Sequence, residues 1–222
     1  MDKTPFNGYD FFAYLSSGAI LLATADYVMG FGLLTKEKIG WIFAVFLVII
    51  AYVCGHIVAH FSSLFLEHLA VGRVLKRPNE LLLGAAPRRG LKWIFPNYYL
   101  ALPQTTIHRV NKQLESRGIT KATATGEGKF LHAYALVTAE KERQKRLDAF
   151  RNQYGFARNM CLAFGVAAIA IVTAHFVGCQ PVRIRWALIA AGISLTLFYR
   201  YLKFFRQYSY ELFLRYAELP PG

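Results

Sequence analysis

The sequence predicts an all-α integral membrane protein in which four transmembrane helices flank a helical, basic cytoplasmic domain placed between the second and third spans. Three observations predict it: long runs almost free of charge, basic residues gathered in one internal segment, and a hydrophobic share of 55% beside a formal charge of +13 in 222 residues. A soluble domain rarely joins such an apolar content to so one-sided a charge.

Taken in order, Phe11 to Val28, Gly40 to Val58 and Met160 to Val177 each approach the roughly 20 apolar residues that a bilayer core requires. The fourth span starts at Trp186 and is apolar only to Tyr199. Arg200 and Lys203 can nevertheless bury their stems and lift their charges to the headgroups. No cleaved leader is expected, because Asp2 and Asp10 spoil a basic n-region and the first span runs past signal-peptide length. No lipid anchor is expected either: Asp2 stands where myristoylation needs glycine, and Pro220, Pro221 and Gly222 include no cysteine. Cys54, Cys161 and Cys179 lack metal-type spacing and read as packing thiols.

Between Leu69 and Arg151 sixteen basic residues face six acidic ones, while the segments around Lys36 and Arg183 carry few charges. The lysine and arginine bias puts the central segment in the cytoplasm, and four spans put both termini there too. Trp41, Trp186, Tyr199, Tyr201 and Tyr208 fall near span ends, where amphipathic rings favour the interface. The expected division is a first transmembrane hairpin over 1–69, a basic cytoplasmic domain over 70–155, and a second hairpin with an aromatic and basic C-terminal helix over 156–222.

Within the basic segment, Pro78, Pro87, Pro96 and Pro103 predict short helical turns and loops that wrap close to the membrane. Thr105 or Thr106 can cap a helix whose Ile107, Val110 and Leu114 form an apolar face and which Gly118 stops, with Arg109 and Lys112 on the wet side. From Lys129 to Gln180 there is no proline, so one helix about 70 Å long can run from the cytoplasm through the third span. The alternative is two helices broken at Gly155.

The second span carries His56, His60, Ser63 and Glu67, which at 100° per residue share a narrow stripe, with Tyr52 one turn earlier. Polar groups at membrane depth face a bundle interior or a wet cavity, so the stripe is a pore lining, an inter-subunit contact, or a hydrogen-bonded seam with no transport role. Asp26 in the first span either pairs with one of these histidines or sits at the outer interface. A metal site is not assigned, because Ile57 stands where the zinc-protease pattern needs glutamate. Gly126 to Phe130 resembles the end of a phosphate loop, but Thr123 and Phe130 break the pattern, leaving a flexible basic turn. With no nucleophile elbow either, the sequence predicts no enzyme, no catalytic residue and no cofactor.

Arg88, Arg89, Lys92, Arg109 and Lys112 lie far from any span and are interleaved with Trp93, Tyr98, Tyr99 and His108. That composition suits an anion site for nucleic acid or a nucleotide, with arginine clamping phosphate and aromatic faces stacking on bases. Anionic headgroups could use the same arginines, and the topology bias alone also supplies basic residues.

Gly8, Tyr9, Asp10, Phe11 and Phe12 open the first span, Tyr52 to His56 read Tyr-Val-Cys-Gly-His, and Tyr154 to Met160 read Tyr-Gly-Phe-Ala-Arg-Asn-Met. With these segments the chain resembles small multi-span membrane effectors of bacterial anti-phage defence loci, of the Hailong type. The resemblance implies a homo-oligomeric ion channel, held in check by DNA oligomers that a partner nucleotidyltransferase makes. A membrane scaffold that binds lipid or protein without conducting remains the other function class.

Overall fold

The computed structural model describes residues 8–34, 40–86, 90–119, 125–178 and 183–220. Among these, every regular element is helical. They are α1 (Gly8–Met29), α2 (Trp41–Ser62) with a π-helical continuation (Ser63–Leu75), α3 (Pro78–Leu82), α4 (Leu91–Ile94), a 3-10 turn (Pro96–Tyr99), α5 (Gln104–Ser116), α6 (Gly126–Val137), α7 (Lys141–Val177) and α8 (Arg185–Ala217). Four helices are long and apolar enough to cross a membrane: α1, α2 with its continuation, α7 and α8. The chain divides into two compact units, residues 1–67 with 155–201 and residues 68–154 with 202–222. The second unit thus takes in the end of α8, which the sequence reading grouped with the second hairpin.

In the first unit, α1 and α2 cross at very close range because the residues between them are small. Ala13, Ser17, Ala51 and Gly55 are buried there. A methyl placed on Gly18 would stand 2.7 Å from the Ala51 carbonyl carbon, and one on Gly55 would stand 2.8 Å from the Tyr14 Cα. Small residues let backbones approach where lipid supplies no hydrophobic drive between helices. The buried Ser17 hydroxyl donates to the Ala13 carbonyl 3.0 Å away, within its own helix. Alanines do the same work elsewhere: Ala167, Ala168 and Ala190 pack with Ile20, and Ala174 and Ala187 with Val28. The larger apolar residues point outward. Ile42, Phe46 and Ile49 are 59%, 60% and 53% exposed, the inverse of a water-soluble core and the pattern of a helix solvated by lipid.

The second unit has a core of the ordinary kind. Leu82, Leu102, Val110, Leu114, Val137, Leu147, Leu212 and Phe213 are buried together, drawn from α3, α5, α6, the start of α7 and the end of α8. The expected apolar face of α5, Ile107, Val110 and Leu114, lies in this cluster. Its stop is also as expected: Gly118 has φ +79°, and the Ile119 amide donates to the Leu114 carbonyl at 2.9 Å. Its start differs, since the helix opens after Pro103 and no threonine side chain caps it. Thr106 instead donates its amide to the Pro103 carbonyl at 2.9 Å.

Two further expectations are corrected. Gly126 to Phe130 is the first turn of α6, whose Gly128 amide donates to Thr125 Oγ1 at 3.1 Å, so the segment is a capped helix start rather than a turn. The long helix begins at Lys141, because α6 ends at Val137 with Thr138 as its C-cap, whose amide donates to the Tyr134 carbonyl at 3.0 Å. Over its 37 residues α7 passes through Gly155 without a break, which gives a length of about 55 Å.

Candidate functional site

Within one chain, the residues of the second-span stripe have different neighbours. His56 stacks on Tyr14 of α1, ring centroids 4.2 Å apart, with Tyr52 edge-on at 4.6 Å. Asp26 meets no histidine: its carboxylate accepts the Leu33 and Leu34 amides at 2.8 and 3.1 Å and closes the loop after α1. His60 is exposed and meets the ring of its neighbour Phe61. At Ser63 the helix becomes π-helical, and the wider i to i+5 turn advances each residue by less than 100°. The face that follows therefore drifts away from the histidines.

That face meets α7. Arg158 pairs with Glu67 and donates through Nε to Ser62 Oγ at 3.0 Å. The Ser62 hydroxyl donates to Asn159 Oδ1 at 2.7 Å, and Ser63 donates to the other Glu67 oxygen at 3.2 Å. Ser62 and Asn159 are buried, while the Arg158 and Glu67 side chains are 16% and 24% exposed. The Arg158 guanidinium, both Glu67 oxygens, the Ser62 hydroxyl and Asn159 Oδ1 all have partners, as a polar cluster on an apolar bundle requires. From Trp41, at 1.5 Å per residue, His56 stands about 22 Å along the helix and Glu67 about 39 Å. A hydrocarbon core of about 30 Å that began at Trp41 would contain the histidine and leave the ion pair beyond it. Sequence reading found Glu67 and Ser63 but missed Ser62, Arg158 and Asn159. Arg158, a lone charge just ahead of the third apolar run, was the signal.

In the second unit, Arg109, Lys112, Gln113 and Ser116 follow one another at helical spacing along α5 and, with Ala217, line a depression of about 180 Å³. Arg109 and Lys112 are exposed at its rim. Gln113 is 9% exposed; its amide nitrogen donates to the Leu219 carbonyl, whereas its Oε1 has no partner among the described residues. Two exposed cations at the rim suit a ligand that carries an anionic group. The other expected members are elsewhere. Lys92 and Trp93 sit on the short exposed helix α4, Trp93 being 89% exposed, and neither lines the depression. Arg88 and Arg89 lie outside the described residues, as does Cys179. Cys54 and Cys161 are free thiols.

The rest of the second unit's polar groups hold it together. Glu211 is buried between Arg146 at 2.8 Å and Arg215 at 3.0 Å. Arg77 binds Glu127 at 2.7 Å, joining α3 to α6. The Tyr98 and Tyr99 hydroxyls donate to the Lys76 and Leu75 carbonyls at 2.8 and 3.0 Å. Burial, and then the neighbouring Tyr99, push the Tyr98 phenol far up, so it stays a donor. Burial and then Arg117 push His132 down, and its Nε2 is buried without a partner. No cluster of metal-ligating side chains occurs among the described residues. Comparison with family models, characterised proteins and solved structures finds no match to this chain.

Proposed function

We propose that the protein is a multi-pass channel or membrane-disrupting effector of the bacterial inner membrane. It works as a homo-oligomer, with both termini and the basic unit in the cytoplasm, and it responds to an anionic ligand, a nucleic acid or a nucleotide. The observation that carries this is the division of labour between the two units. One exposes a shell of large apolar side chains suited to lipid, and the other has its own core and a depression rimmed by Arg109 and Lys112. A sensor unit joined to a membrane bundle in one chain suits gating by population shift.

Oligomerisation is supported by the histidines. His56 and His60 are exposed on a helix whose other exposed residues include Ile42, Phe46, Ile49, Val53 and Ile57. Imidazoles are costly against lipid tails, and a second copy or a water-filled axis would cover them. The Glu67 and Arg158 charges satisfy each other within one chain, so any conducting path runs between copies. A role in anti-phage defence, with a DNA oligomer as ligand and a nucleotidyltransferase as partner, rests on the resemblance of the span-opening segments. No catalytic step is assigned to the chain.

The test is ion flux from liposomes containing the purified protein, together with the ratio of absorbance at 260 and 280 nm before and after nuclease. Flux that changes when the nuclease removes bound nucleic acid supports the proposal. A strictly monomeric particle in nanodiscs, with no flux under any ligand condition, refutes it and leaves a lipid- or protein-binding scaffold.

A further inference from the structure

Within the first unit, α1, α7 and α8 leave between them an open groove of about 480 Å³. Ile20, Ala23 and Tyr27 form one wall, with Ala167 and Ile171 behind and Trp186 and Ile193 opposite. The lining is apolar throughout its depth. The Thr24 hydroxyl donates to the Ile20 carbonyl at 2.8 Å and so has no proton to offer the groove. Seven residues separate its ends on α1 and on α8, so it is about 10 Å deep along the helix axes.

One end of the groove is charged. Tyr27 and Trp186 mark that end, and an arginine is attached to each. The Arg183 amide donates to the Tyr27 hydroxyl at 3.0 Å, and the Arg185 guanidinium lies 5.6 Å from the Trp186 ring centroid. Both arginines are exposed, and neither has a carboxylate partner among the described residues. Two aromatic rings at one level, with an exposed arginine next to each and an apolar trough below, follow the layering of a lipid leaflet.

We propose that this groove holds one acyl chain of an anionic phospholipid, whose phosphate is bound by Arg183 and Arg185. The lipid is favoured over a second copy of the chain by charge. A symmetric contact through the same face would bring the four arginines of two copies together at one level, and Asp26, the carboxylate next to Tyr27, is already engaged by the Leu33 and Leu34 amides. The inference rests on the membrane-spanning reading of the proposed function but not on conduction or on the anion depression.

The test is to purify the full chain from bacterial membranes in mild detergent and to measure retained phospholipid by native mass spectrometry. Membranes are first washed with alkaline carbonate, so that loss of the chain at that step identifies failure of the membrane reading itself. The expected result is retention of about one phosphatidylglycerol or cardiolipin in preference to phosphatidylethanolamine. The R183Q/R185Q double variant is expected to lower the affinity for the anionic lipid roughly 30-fold, from two charges near an anionic surface. Ala23→Trp, an exposed position that fills the trough, is expected to abolish retention of either class, with helicity by circular dichroism confirming that both variants fold. Equal retention of zwitterionic and anionic lipid, unaffected by either variant, overturns the inference. So does disulfide dimerisation of an Ala23→Cys variant in the intact membrane, which would put a second copy in the groove.

Discussion

Replacing Gly18 or Gly55 with alanine should open the α1–α2 crossing. The added Cβ at Gly18 would lie 2.7 Å from both the Ala51 carbonyl carbon and the Gly55 nitrogen, below the 3.0 Å that real Cβ contacts keep. These are backbone atoms of a partner helix and cannot rotate away, so the helices must part by roughly 1 Å, a gap that forfeits up to half the attraction of each contact along the crossing. Overpacking of this kind costs about 1–3 kcal/mol, and the lost contacts place Gly18→Ala toward the upper end. Gly192→Ala in α8 is the internal control. Nothing lies within 4 Å of its added Cβ, and alanine in a helix interior is about 0.5–1 kcal/mol better than glycine. The assay is denaturant or thermal unfolding in detergent followed by circular dichroism. Gly18→Ala and Gly55→Ala should fall below the parent protein and Gly192→Ala should match or exceed it. If Gly18→Ala and Gly192→Ala behave alike, the close crossing is not what holds the hairpin.

Glu67→Gln and Arg158→Gln should each destabilise the first unit by about 3 kcal/mol, because each leaves a largely buried charge alone. The double variant should cost less than the sum, and a double-mutant cycle giving coupling below about 0.5 kcal/mol would show that the pair is incidental. For the depression, Lys112→Glu should weaken nucleic-acid retention in a salt-dependent manner, read by the nuclease-sensitive absorbance ratio, while Lys92→Glu should have less effect because Lys92 lies outside it. His132 gives a pH dependence of stability. Its folded-state pKa lies below the ordinary 6.5, so the unfolded chain takes the proton first and stability is lost as pH falls from about 6.5 through the lowered value. Thermal melts should be flat above that window and decline within it, and His132→Phe should flatten the decline.

The four apolar helices, the face and the glycine stop of α5, and the continuity of α7 through Gly155 were legible in the sequence. Each depends on residues within a few positions of one another, and apolar run length, 3.6-residue periodicity and the absence of proline are local properties. The start of α7 was not legible: no proline or glycine separates Tyr134 from Lys141, and the Thr138 hydroxyl bond to the Tyr134 carbonyl is of the kind Thr24 makes inside α1, so it does not mark a break. Tertiary structure alone decided the partners. Arg158 lies 91 positions from Glu67, and the change of helical register at Ser63 alters the direction in which the residues after it, Glu67 among them, face. It also decided that Gly18 and Gly55 meet, that Gln113 is buried with an unused oxygen, and that the end of α8 completes the second unit's core. Composition specifies which side chains must leave water, but which of them meet is set by how closely particular backbones approach, and that is a property of pairs distant in sequence.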